Sequence, residues 1–104
     1  MSKEKIKEIF RIRDKAVSDH DKKLFMSTHL KGMEIKKSYS HGFMILSKLQ
    51  SKVLHACQDD DNRNLWLAFV KEKYYHEKKF SHQGYSMYKI IQDNGKFVIF
   101  DIVW

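Results

Sequence analysis

The sequence predicts an α+β domain, with two N-terminal helices packed on a curved antiparallel sheet. Three observations carry that expectation. Apolar residues recur at helical spacing between Ile6 and Phe25, and β-rich runs fill the second half of the chain. The last two runs meet at Asp93-Asn94-Gly95-Lys96. Asn-Gly is a strong hairpin signal, because a type I′ turn needs positive φ at both central residues. Helices first and a meander after is an α+β order.

The first helix is expected over residues 2–17. Ile6, Ile9, Phe10 and Val17 form its stripe, with Arg13 on the same stripe and Ile12 beside it. Ser2 and the run Lys3-Glu4-Lys5 suit a first turn, with acid near the N-terminus. Ser18-Asp19-His20-Asp21 breaks the pattern. Asp21 is a good N-cap for a second helix through Leu24, Phe25 and Thr28, which Gly32 could end with a left-handed cap. Met33, Ile35, Tyr39 and Phe43 alternate as in a short strand.

Residues 44–57 fit either a helix or a strand. Ile45, Leu49, Val53 and Cys57 serve one template, and Leu46, Leu49, Val53 and Cys57 the other. The preferred reading is a helical or irregular start near 43–48 and a strand over 50–57. Asp59-Asp60-Asp61-Asn62-Arg63-Asn64 is a polar connector. Residues 65–70 are apolar on both faces, and 71–76 turn amphipathic. Residues 78–83 read as a loop or strand end, and the hairpin strands follow from Gly84.

The last strand places Phe97, Ile99 and Val103 on one face, and Val98, Phe100, Ile102 and Trp104 on the other. A strand apolar on both faces must be covered twice. Helices cover one side, and a second copy of the chain is the simplest cover for the other, so a homodimer through the sheet face is expected.

The 104 residues suit a single domain spanning 1–104. Lys and Arg total 20 against 13 Asp and Glu, a net charge of +7, but Arg occurs only at Arg11, Arg13 and Arg63. A Lys-rich excess spread along the chain reads first as a solubilising surface and argues against nucleic acid as the main partner. The single cysteine, Cys57, excludes an internal disulfide. No apolar stretch has signal or membrane length, so the default expectation is a cytoplasmic protein without membrane contact.

Two segments carry a family resemblance. Ile9-Phe10-Arg11-Ile12-Arg13-Asp14-Lys15-Ala16-Val17, followed by His20-Asp21-Lys22-Lys23-Leu24-Phe25, resembles the first helix and helix-starting aspartate of the nuclear transport factor 2-like superfamily, including its polyketide-cyclase-like branch. Tyr88-Lys89-Ile90-Ile91-Gln92-Asp93-Asn94-Gly95-Lys96-Phe97-Val98-Ile99 resembles its terminal hairpin. Together they cover about a third of the chain. The resemblance implies a cone of helices and curved sheet, with dimers packed through the convex sheet face. It specifies a fold and not a chemistry.

Asp101 interrupts the last apolar strand. If it faces the cone with Phe97 and Ile99, its carboxyl would be raised by burial and could serve as acid, base or donor. Some members of the superfamily pair a histidine with a carboxylate, so His55 is its candidate partner, with no motif of its own to support the pairing. Phe10, Arg13, Phe97 and Ile99 are the candidate lining for a small apolar ligand. The competing reading of Arg13 keeps its stem buried and its guanidinium wet, or pairs it with Asp101.

Six histidines show neither an HExxH motif nor tight His-x-His spacing, so no metal and no cofactor is expected. The Asp59–Asn62 run lacks the glycine and terminal glutamate of a calcium loop. Tyr74, Tyr75, Tyr85 and Tyr88 lie among Lys71, Lys73, Lys78, Lys79 and Lys89, a mixture that suits stacking on single strands or an ordinary sheet edge. Three functions follow in order of preference. The first is a non-catalytic dimeric binding or scaffold domain. The second is a small isomerase, dehydratase or cyclase using Asp101, and the third an adaptor for nucleic acid or acidic partners. Whether the chain is an enzyme stays open at this point.

Overall fold

The computed structural model describes residues 2–29 and 47–103. The expected cap at Gly32, the short strand over 33–43 and the start of the ambiguous segment lie outside the described residues. Helix α1 spans Ser2–Asp19 and α2 Lys22–Ser27. The strands are β1 (Lys48–Gln58), β2 (Leu65–His76), β3 (Lys79–Asp93) and β4 (Lys96–Val103). They form one antiparallel meander in the order β1-β2-β3-β4. The part of the ambiguous segment that is described is therefore strand, beginning at Lys48.

The corner between the helices has no spare residue. His20 takes φ 53°, its N–H donates to the Val17 carbonyl, and the Asp21 N–H donates to the Ala16 carbonyl. This is a Schellman ending with histidine where glycine is usual. Asp21 then accepts from the Leu24 N–H at 3.0 Å and caps α2, the role expected of it. Beyond α2, the Ile99 N–H donates to the Thr28 carbonyl at 2.8 Å, and His29 bridges Ile99 in parallel, which ties this segment to β4.

Two hairpins have positive φ at both turn residues. Asn94 (φ 52°) and Gly95 (φ 78°) do so as the sequence predicts. Glu77 (φ 52°) and Lys78 (φ 66°) do so without a glycine or asparagine signal. Strand β3 therefore starts at Lys79, and of residues 79–83, expected as a loop or strand end, all but the extra residue Ser81 are paired with β2.

Helix α1 lies on one face of the sheet. Its Ile6, Ile9, Phe10, Ala16 and Val17 join Phe25, Leu49, Ala56, Ala68, Val70, Tyr88, Ile90 and Ile99 in one core. The outer face carries Leu65, Leu67 and Phe69 of β2 and Met87, Lys89 and Ile91 of β3, paired across the ladder. No helix among the described residues is long and apolar enough to cross a membrane.

Single-residue irregularities decide which side chains face the helices. In β1, Val53 pairs with Val70 but His55 pairs with Phe69, so Leu54 is an extra residue. In β4, Ile99 pairs with Ile90 but Asp101 pairs with Lys89, so Phe100 is extra. Each bulge shifts the alternation by one position.

Candidate functional site

Paired residues share a face, so the bulges relocate both residues of the proposed acid–base pair. Ile90 and Ile99 are fully buried under the helices. Lys89, one residue from Ile90, points the other way, and Asp101 goes with it. Its carboxylate stands 3.8 Å from Lys89 Nζ, with the two side chains 38% and 37% exposed. The expectation that Asp101 shares the face of Phe97 and Ile99 fails because the strand is not strictly alternating. His55 is exposed on the same outer face. It lies on β1, with β2 and β3 between it and Asp101 on β4. Three strand spacings separate them by roughly 14 Å, well beyond hydrogen-bond reach. The structure does not bring the two together.

Arg13 and Phe10 are placed inward, as the stripe implies. Arg13 is buried, and its partner is Glu72 rather than Asp101. Arg13 Nη1 donates to Glu72 Oε2 at 2.9 Å. Tyr88 donates to the same oxygen at 2.5 Å, and Tyr74 donates to Oε1 at 3.0 Å. The guanidinium carbon lies 5.2 Å from the Tyr88 ring centre and 5.8 Å from that of Phe25. Phe10 meets Tyr88 edge-on, with centroids 4.9 Å apart. Of the two remaining expected lining residues, Ile99 is fully buried core and Phe97 packs half-buried against it.

The electrostatics of this quartet centre on Glu72, while Arg13 Nε is buried with no hydrogen-bond partner among the described residues. Burial alone would raise the Glu72 carboxyl, but Arg13 and the two phenols hold it below its ordinary value. Burial, then the Glu72 charge, pushes the Tyr74 phenol up. Burial also raises Tyr88, with Arg13 opposing and Glu72 adding to the shift. Both phenols stay protonated donors, and Glu72 stays an anion beside a cation. Glu72 had a readable signal. Counting by two from Ala68 and Val70 puts Glu72 and Tyr74 on the buried face, opposite the one cation of the α1 stripe.

A groove of about 340 Å3 runs along the seam of α1 and β1, lined by Lys7, Phe10, Arg11, Asp14, Ser51, Lys52 and Val53. Its carboxylate is Asp14. The Ser51 N–H donates to one Asp14 oxygen and the Ser51 hydroxyl to the other, both at 2.7 Å. Burial nevertheless pushes the Asp14 carboxyl up to about 6, against the lowering effect of those two bonds. Sequence reasoning missed Asp14, which lies one position off the apolar stripe. Only the approach of β1 buries it.

Among the described residues, no three His, Cys, Asp or Glu side chains gather as a metal site requires. The Asp59–Asn62 connector forms a solvated turn in which Asp59 accepts from the N–H groups of Asp61 and Asn62.

No family model matches the chain, and no curated protein sequence is significantly similar to it. Two solved structures are similar in fold. One is an NTF-2 like protein of unknown function from Shewanella oneidensis MR-1, with TM-score 0.77 and 11% identity, over 97% of this chain and 100% of that one. The other is a protein of unknown function with a cystatin-like fold from Nostoc punctiforme PCC 73102, with TM-score 0.70 and 10% identity, over 93% of this chain and 84% of that one. Among the described residues two helices lie on a four-stranded antiparallel sheet, and the similarity to both structures over nearly the whole chain gives this protein the NTF2-like, cystatin-like α+β fold.

Proposed function

We propose that the chain is a non-catalytic binding or scaffold domain that pairs with a second copy through its outer sheet face. The observation that carries this reading is the saturation of Glu72 in the interior. Its two oxygens accept from Arg13 Nη1, Tyr74 and Tyr88, so these groups serve packing and orientation rather than a reacting substrate, although Arg13 Nε is buried with no hydrogen-bond partner among the described residues. The outer face supports the pairing. Phe69 is 46% exposed at its centre, flanked by Leu67 on its own strand and Met87 across the ladder. The α1–β1 groove, with Phe10 and Val53 as apolar wall, is the place for a small ligand.

Native mass spectrometry of the purified protein tests the reading. The expected result is a dimer, with Phe69→Glu giving a folded monomer. A wild-type monomer at tens of micromolar would remove the pairing. A second reading, acid–base chemistry of the isomerase or dehydratase type, is favoured by one observation: Asp14 combines a groove position with a carboxyl near 6, within the range where general acids and bases work.

A further inference from the structure

The outer sheet face has two unlike halves. The half from Phe69 towards Leu65 carries Leu65, Leu67, Phe69, Met87 and Ile91, with His55, Lys89 and Asp101 among them. Towards the Glu77–Lys78 turn, three successive rows across β1, β2 and β3 read Lys52–Lys71–Tyr85, Gln50–Lys73–Gln83 and Lys48–Tyr75–Phe80. Among the described residues these rows contain four lysines, Lys48, Lys52, Lys71 and Lys73, each directly opposite or diagonal to another, and no carboxylate. Lys52 and Lys71 are direct cross-strand partners, which places their β-carbons about 5 Å apart on one face. Lys73 follows on the same side of β2, about 7 Å along the strand. Like charges set opposite each other are unfavourable in a free sheet. Glu72, between Lys71 and Lys73, cannot relieve them because it points to the other face and is committed to Arg13.

Three of these lysines surround a depression of about 220 Å3, lined by Gln50, Ser51, Lys52, Lys71 and Lys73. Beside it stand two of the exposed aromatic side chains of the molecule, Tyr85 at 63% and Phe80 at 55%. Tyr85 is the cross-strand partner of Lys71.

We infer that this half of the sheet binds single-stranded nucleic acid. Phosphates occupy the Lys52/Lys71/Lys73 depression, where an anion relieves the repulsion between the lysines. Bases stack on Tyr85 and on Phe80, which meets Tyr75 edge-to-face but is still more than half exposed, and such stacking accepts any base. The charge alone would fit any polyanion. The exposed aromatics one strand away distinguish nucleic acid from a simple phosphate compound. The surface adjoins the apolar patch around Phe69, with Lys71 two residues from Phe69 on the same face of β2, so a copy of the chain seated on that patch competes with the oligonucleotide along this edge.

Fluorescence anisotropy of a labelled 12-nucleotide oligo-uridine with the full-length protein tests it. Three phosphate contacts imply a slope of about −2 in log affinity against log salt, so raising NaCl fourfold should weaken binding about twentyfold. Lys71→Ala should reduce that slope by about 0.7. Tyr85→Ala should weaken binding at least fivefold and leave the slope unchanged, since a stacked base is worth about 1 kcal/mol or more. Lys22→Ala on α2 removes the same charge elsewhere and should change affinity less than twofold. The inference is overturned if no saturable binding occurs at low salt, or if Lys22→Ala costs as much as Lys71→Ala. It is also overturned if Tyr85→Ala is neutral while heparin competes as well as the oligonucleotide, or if a 12-base-pair duplex binds as tightly as the single strand. The last two outcomes identify a generic polyanion surface.

Discussion

Removing the Glu72 side chain should be among the most damaging single changes in this protein. Glu72 accepts from Arg13, Tyr74 and Tyr88 in the interior. Glu72→Ala leaves a buried guanidinium without its counter-ion, a loss of about 3–5 kcal/mol in comparable buried pairs. The orphaned phenols add to it where they cannot turn to another acceptor. Domains of this size hold roughly 5–15 kcal/mol of stability in total. At about 4–8 °C per kcal/mol, the melting temperature should fall by roughly 12–40 °C.

The pair itself contributes less than its rupture costs, because both charges were taken out of water to form it. Arg13→Met combined with Glu72→Ala should therefore cost at least ~2 kcal/mol less than the sum of the single variants. Urea unfolding followed by tryptophan fluorescence reads all four corners of the cycle, with Trp66 packed against the core. Glu72→Gln, which keeps the volume and one acceptor, should fall between wild type and Glu72→Ala. A Glu72→Ala loss under ~1 kcal/mol, or single losses that add within ~0.5 kcal/mol, would refute this account of Glu72 as the buried counter-ion.

Three further outcomes follow from the structure. Asp14 has a carboxyl pushed up from 3.8 to about 6, so the folded state holds that proton more tightly than the unfolded chain and stability should rise as pH falls from above 6 towards 4. Two units correspond to about 3 kcal/mol as an upper bound. Glu72, held below its ordinary 4.5, works in the opposite sense and loses stability as pH falls below that value. Asp14→Asn can accept from the Ser51 N–H and donate to its hydroxyl; it should add about 1–2 kcal/mol at pH 8 and flatten the pH 4–6 dependence in urea titrations. Gly95→Ala places a β-carbon at φ 78° with no atom within 4 Å, so its cost, about 1 kcal/mol by thermal melting, is purely that of the backbone. Asp101→Asn weakens a half-exposed 3.8 Å pair with Lys89 and keeps an oxygen to accept from the Ile102 N–H, so it should shift stability by less than ~0.5 kcal/mol; a loss above 2 would show a buried role.

The elements legible in the sequence are those whose signal is local. The α1 stripe, the Asp21 cap and the Asn94-Gly95 turn each rest on residues within a few positions of one another. The Glu77–Lys78 turn escaped because neither residue favours positive φ; the register of the strands on either side holds it there. His55 and Asp101 were placed by strict alternation, and one extra residue, Leu54 or Phe100, is enough to reverse a face. Arg13 is readable as inward from its stripe, and its partner only by counting β2 in twos, since Glu72 stands between two lysines and otherwise looks solvated. Asp14 needed the long-range approach of Ser51, 37 residues away.

The extra residue at Phe100 also bears on how this protein can be compared with others of its fold. At about 10% identity, residue correspondences rest on counting along strands from a shared landmark such as the hairpin turn. Counting from Gly95 works up to Ile99 and then loses parity. A relative without the bulge, aligned without a gap, would have its interior residues matched to this protein's surface ones for the rest of β4. Transfer of a pocket residue onto this strand is sound only after the bulge has been matched or a gap opened for it.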